Sequence, residues 1–382
     1  MNAIKLVKYF VFVCLLASCG EKRAYQDRID SIHNDTERLV IAVAWPHSKS
    51  KIDMFNGVEL AAKEVNKSGG VLGRKIELKK FDDFRDINEG LLIAEEIAAD
   101  KSIFAVIGHL DSYISIPTST TYDSSGLIMI TPGSSAVELT QQQHKSVFRM
   151  LSNNEEQGKR LVSYFRNNNY QRVLLYYVDN VYGQDIANAF EIAAIQQKVD
   201  IVSRRSFDTS GDNHKQVIES WTEYYDFDSI LVAGTMPNGL RAIQAIRNAG
   251  IEKPIVASGG VDSTLLLDAE LGDQGELVVA TFYDQTAFNE SQLFYERYTA
   301  EFEAEPSASA ALGYDALALL IESIEKTGSV DRDTVVEQLH SIEQFPGTTG
   351  KLTFSENGEP IDKPMYLRKV VNNRFVSIGA VD

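Results

Sequence analysis

Cysteine is nearly absent. The 382 residues hold two, Cys14 and Cys19. Both lie in the first nineteen positions, so a chain cut there has no thiol for an internal disulfide. Six histidines, His33, His47, His109, His144, His214 and His340, are scattered, and none stands at metal-ligand spacing, so no metal is expected. No cofactor motif is present. Lys67-Ser68-Gly69-Gly70 reads as a helix stop and not a phosphate loop, and Ser134 lacks the G-x-S-x-G setting of a hydrolase nucleophile. His109 reads as a packing or supporting residue rather than a catalyst. Positive charge is scarce: 37 Lys and Arg against 54 Asp and Glu leave a net charge of −17. That balance argues against nucleic acid and against polybasic attachment to a membrane.

What is present begins with an N-terminal leader. Lys5 and Lys8 precede the short apolar run YFVFVCLLA, too short for a secure membrane span and ended by small residues, as in a secretory signal. Leu16-Ala17-Ser18-Cys19 resembles the bacterial lipobox, which implies a signal over residues 1–18 and lipidation at Cys19. Gly20 follows, where Asp would favour inner-membrane retention. An ordinary signal with a chance Cys is the plainer alternative. Residues 19–37 are polar, charged and without periodicity, and read as a flexible tether.

From Arg38 onward, solid apolar runs alternate with helical patterns. Leu39–Trp45, Lys75–Phe81, Phe104–Ile107 and Leu127–Ile130 read as strands; Met54–Lys67, Ile87–Ala99 and Ile114–Tyr122 read as helices between them. Strands apolar at every position predict a parallel sheet covered on both faces. The pattern restarts after Ser152, with strands at Arg172–Val178, Asp200–Phe207, Ser229–Ala233, Pro254–Ala257 and Leu277–Phe282. The tail adds three helices over residues 291–339, then a strand at Lys351–Phe354 and a hairpin broken at Asn372-Asn373. The fold class expected is α/β, two doubly wound parallel-sheet lobes.

In such sheets, ligands lie beyond the carboxyl ends of the strands, where the next helices point their free N–H groups. Two strands end there in small polar turns: Gly108-His109-Leu110-Asp111-Ser112 and Pro132-Gly133-Ser134-Ser135. Ser112, Ser134 and Ser135 can hydrogen-bond an anionic group, and Gly133 permits close backbone approach. Helix capping alone also accounts for Asp111, Ser112, Ser134 and Ser135. Tyr113 is a further candidate for the cleft wall. Trp45 either walls the pocket or merely closes its strand.

Several ordered stretches carry a resemblance: FNGVELAAKEVNKSGGVLGRKIEL, Asp82-Asp83, VIGHLDS, GLIMITPGSS, Glu156-Gln157-Gly158, VYGQD and GKLTFSENGEP. From Leu39 to the C-terminus the sequence resembles the Leu/Ile/Val-binding type of solute-binding proteins of ABC importers, with the type I periplasmic binding fold. The resemblance implies a three-crossing hinge, with lobe 1 over 38–150 plus 282–349 and lobe 2 over 151–281 plus 350–382. It implies that Ser112 binds a ligand's carboxylate, that the Gly133 backbone and the Ser135 hydroxyl share its carboxylate and ammonium, and that Tyr182 and Thr235 reach in from the second lobe. Relatives place an acidic residue for the ligand's ammonium where this chain has Gly259. Either Asp262 serves from three residues on, or the ligand lacks an α-ammonium. Many relatives also join two turns by a disulfide where this chain has Arg85 and Asp111, and an ion pair is expected in its place.

The function this implies is an envelope lipoprotein, in the periplasm or held at a membrane by its lipid, that is not an enzyme. It is expected to act as a monomer without cofactors, closing two lobes on a small carboxylated ligand and passing it to an ABC permease. A ligand-sensing lipoprotein that regulates another envelope protein is the alternative.

Overall fold

The computed structural model describes residues 25–48, 53–211, 213–269, 271 and 274–381. The signal and the lipidation expected at Cys19 lie outside the described residues.

The first lobe begins with a helix, α1, over residues 25–34. There follow β1 (Arg38–Ala44), α2 (Met54–Lys67), β2 (Lys75–Phe81), α3 (Ile87–Ala99), β3 (Ile103–Gly108), α4 (Ser112–Ser124), β4 (Ile128–Thr131), α5 (Glu138–Gln141) and β5 (Val147–Arg149). The strands form one parallel sheet in the order β2-β1-β3-β4-β5. β3 is buried at all of its positions, as a central parallel strand covered on both faces must be.

The second lobe is built from α6 (Asn154–Asn167), β6 (Arg172–Val178), α7 (Val181–Gln197), β7 (Asp200–Phe207), α8 (His214–Tyr224), β8 (Ser229–Ala233), α9 (Asn238–Asn248), β9 (Ile255–Ala257), α10 (Leu265–Asp268) and β10 (Leu277–Thr281). The chain then returns to the first lobe as α11 (Asn289–Phe302), α12 (Ala308–Thr327), α13 (Arg332–His340) and the short pair β11 (Phe345–Gly347) and β12 (Gly350–Leu352). It ends in the second lobe as the hairpin β13 (Met365–Val371) and β14 (Arg374–Val381). That sheet runs β14-β13-β10-β9-β8-β6-β7, parallel except for the two antiparallel strands at its edge. The hairpin turns on Asn372 and Asn373, both at positive φ, the conformation a two-residue turn demands and Asn tolerates.

α12 is the most deeply set helix of the first lobe and packs along α2. Gly57 permits this approach, because a Cβ there would stand 1.8 Å from the Ala310 carbonyl oxygen.

Two expectations are corrected. Residues 25–34 of the expected tether are a docked helix. The Arg28 guanidinium is buried and donates to the carbonyls of Ala98 (2.6 Å), Ile103 (2.7 Å), Asp100 (2.8 Å) and Ser125 (2.9 Å). These carbonyls lie at the ends of α3 and α4 and at the start of β3, and one fork of donors binds them together. Tyr25, Arg28 and Ile32 do stand at helical spacing, but a stripe centred on arginine does not read as apolar. The second correction is the last boundary, expected at Gly350. Residues 350–359 stay with the first lobe: Glu359 pairs with buried Arg149 at 3.0 Å and Phe354 packs on Phe148. The crossing falls near Lys363, whose carbonyl accepts from Ser152 Oγ at 3.1 Å.

Candidate functional site

Each sheet reverses strand order once: between β1 and β3 in the first lobe, and between β6 and β8 in the second. The carboxyl ends of these strands face one another across a cleft, and that is where such sheets bind ligands. The cleft, mouth included, holds about 830 Å³ of empty space.

The first wall is built from two turns. Buried Thr131, at the end of β4, donates to the His109 carbonyl at 2.9 Å and accepts from the N–H groups of Ser134 (3.0 Å) and Gly133 (3.3 Å). Arg149 draws the carbonyls of Ala136 (2.8 Å) and Ser134 (3.2 Å) backward. Ser112 Oγ accepts from the N–H groups of Ser135 and Ala136, both at 3.2 Å. Its own hydrogen is thereby left to donate. Ser112, Gly133 and Ser135 all line the cleft, and among the described residues none bonds the Ser135 hydroxyl. A Cβ at Gly133 would stand 2.8 Å from Leu110 Cα, so glycine lets the turn close against β3's loop.

Capping does not account for Asp111. Its carboxylate makes no cap bond to α4. It accepts from Nη2 and Nε of Arg85, at 2.6 and 2.8 Å. The expected ion pair is therefore present. Burial alone would weaken the Arg85 charge, but Asp111 outweighs it and raises the guanidinium's pKa. Arg85 also reaches the second lobe, donating to the Met236 carbonyl at 2.6 Å and to Thr235 Oγ1 at 3.4 Å. Tyr113 lines the cleft and donates to the Arg85 carbonyl at 2.9 Å; burial, then the Asp111 charge, raises its pKa.

The second wall holds Tyr182 and Thr235. Asn180 caps α7 by accepting from Gly183 N–H at 3.0 Å, which sets Tyr182 in the helix's first turn. The Tyr182 hydroxyl donates to Ser258 Oγ and accepts from Gly260 N–H, both at 3.0 Å. Asp262 lines the cleft but is engaged elsewhere, ion-paired with Arg368 and accepting from Thr281 Oγ1 at 2.7 Å.

Two candidates fall outside the lining. Ser134 points backward, its hydroxyl bonded to Ser115 Oγ and to the His109 carbonyl, so it fixes the turn. Trp45 is fully buried in the first lobe's core behind Gly133. Sequence reasoning missed Leu110, Leu151, Gln157, Met236 and Leu312, which also line the cleft. Their types are those of any core, and only the lobe arrangement selects them. His109 is buried, bonded to Asp83 (2.8 Å) and Tyr122 (2.9 Å), away from the lining.

A family model described as periplasmic binding protein matches residues 46–374. The chain belongs to this family. Among periplasmic binding proteins it is 25% identical to a Leu/Ile/Val-binding protein of Rhizobium johnstonii, over 89% of this chain and 92% of that one. It is 33% identical to the ABC transporter substrate-binding protein of Desulfitobacterium hafniense solved in complex with Leu, at a TM-score of 0.80, covering 90% of this chain and all of that one. A benzoate-bound solute-binding protein from R. palustris, 18% identical with a TM-score of 0.80, covers 90% of this chain and 96% of that one and shares the fold. The expected type I periplasmic binding fold is thus present.

Proposed function

We propose that the chain is an extracytoplasmic solute-binding lipoprotein that captures a small carboxylate with an apolar body, an amino acid or related compound, and delivers it to an ABC permease. It does so as a monomer and by closure alone, without chemistry. The observation that carries this reading is the pairing of walls: Ser112, Gly133 and Ser135 on one lobe face Tyr182 and Thr235 on the other. Helix N-termini and a free serine hydroxyl suit an anionic group. The names of the relatives supply the amino-acid and transporter parts of the reading.

The test is thermal unfolding of ligand-stripped protein against amino acids and small carboxylates. A ligand at a hundredfold its Kd stabilises the folded state by about 2.7 kcal/mol, a shift of a few degrees. A shift that Ser112→Ala abolishes supports capture at this site. No shift with any compound sinks the reading. Labelling with radioactive palmitate, lost in Cys19→Ala, tests the lipid anchor.

A further inference from the structure

The charges lining the cleft are Arg85, Asp111 and Asp262. Both carboxylates are already bound to a guanidinium. Asp111 receives two Arg85 donors at 2.6 and 2.8 Å and keeps a side chain 6% exposed. Asp262 is ion-paired with Arg368 and bonded to Thr281, with a side chain 3% exposed. Arg368 is held in turn, 3.4 Å from the centre of the Phe375 ring. Asp262 Oδ1 accepts no hydrogen bond among the described residues, but it is sealed from solvent with the Arg368 charge beside it, so neither carboxylate offers an accessible, unpaired charge to a second cation.

The remaining polar groups favour the opposite sign. The first turns of α4, α6, α7 and α12, and the residues leading into α9, all supply lining residues: Ser112, Gln157, Tyr182, Ser309 and Thr235. Aligned N-termini direct partial positive charge into one cleft. The rest of the lining is uncharged: Tyr113, Ser135 and Asn180 stand beside apolar Leu110, Leu151, Met236, Phe282 and Leu312. Gly259 leaves an uncharged gap on the second wall, where an added Cβ would meet Phe282 at 3.3 Å. A buried ammonium without an anionic partner is strongly disfavoured.

We infer that the preferred ligand is a monocarboxylate with a branched or aromatic apolar body and no α-ammonium: a 2-oxo acid or an aryl or alkyl carboxylate. The inference rests on the proposed capture of carboxylates. It assigns Gly259 and the Asp262–Arg368 pair as the determinants that exclude an amino group.

Isothermal titration of the stripped protein with matched pairs tests it: 4-methyl-2-oxopentanoate against L-leucine, and phenylpyruvate against L-phenylalanine. The acid of at least one pair is expected to bind about tenfold or more tightly than its amino acid. Gly259→Asp, which places an unpaired carboxylate on the wall, is expected to reverse that order. Amino acids that bind the unaltered protein as tightly as their oxo acids overturn the inference and leave carboxylate capture standing. If neither member of either pair binds, capture of such carboxylates falls, and the inference with it.

Discussion

Arg85 of the first lobe donates to the backbone carbonyl of Met236 in the second at 2.6 Å, while the same guanidinium holds Asp111 in its own lobe. One side chain thus ties a cleft-lining turn of the first lobe to the opposite wall. Its fork has the geometry for both tasks, which a lysine ammonium lacks. Arg85→Ala leaves Asp111 buried and unpaired, and each single alanine substitution of the pair is expected to cost about 3 kcal/mol. The double variant is expected to lose at least about 1 kcal/mol less than the two losses combined. Urea unfolding of all four proteins measures this; additive losses would show that the two residues are not coupled.

The Tyr182 hydroxyl joins Ser258 to the N–H of Gly260 on the second wall. Tyr182→Phe keeps the ring and strands that N–H. Ligand affinity is expected to fall about tenfold, near 1.4 kcal/mol, and the melting temperature by a few degrees, because the stranded N–H also costs stability. Calorimetric titration of the variant checks it, and an unchanged Kd would place the hydroxyl outside recognition.

Arg28 satisfies four chain-end carbonyls of the first lobe. Arg28→Ala is expected to lower stability by about 2–4 kcal/mol, since buried carbonyls lose charged donors. Limited proteolysis offers a second readout: α1 should become a cleavage site in the variant while the rest of the chain stays resistant.

Lys363 is buried near the last crossing, donating to Thr349 Oγ1 at 2.6 Å. Burial lowers its pKa to about 8, against the partial support of Asp315. An unfolded lysine titrates near 10.4, so the folded state binds this proton more weakly. The stability contributed by the neutral form is fully present above the unfolded value and is lost as pH falls through about 8. From pH 7 to pH 9.5 the protein should gain about 2 kcal/mol through this group. Lys363→Met should flatten the difference between those two pH values. Equal pH dependence in both proteins would rule out the assignment.

Much of the architecture was legible along the chain because burial on both faces writes itself as unbroken apolar runs. β2, α2, α3, β6, β7 and β8 fall where the pattern alone put them. The turn at Asn372-Asn373 was legible because few residues accept positive φ. Ser112, Gly133 and Ser135 were singled out by the family resemblance, since capping explains such residue types equally well, and they line the cleft. The failures share a cause. Ser134 and Ser135 are neighbours of one type, and only the Ser115 and His109 contacts turn one backward. α1 escaped because its buried centre is Arg28, a residue that sequence patterns assign to solvent.

The sequence by itself therefore determined the strand and helix order, the two-lobe class and the small polar turns, since these follow from local periodicity and backbone chemistry. The tertiary structure alone decided which side chains meet. It showed that Arg85 spans the cleft, that Asp262 is spent on Arg368, and that Trp45 lies behind the pocket. Pairing of charges depends on distances between residues far apart in the chain, and no spacing along the sequence encodes those distances.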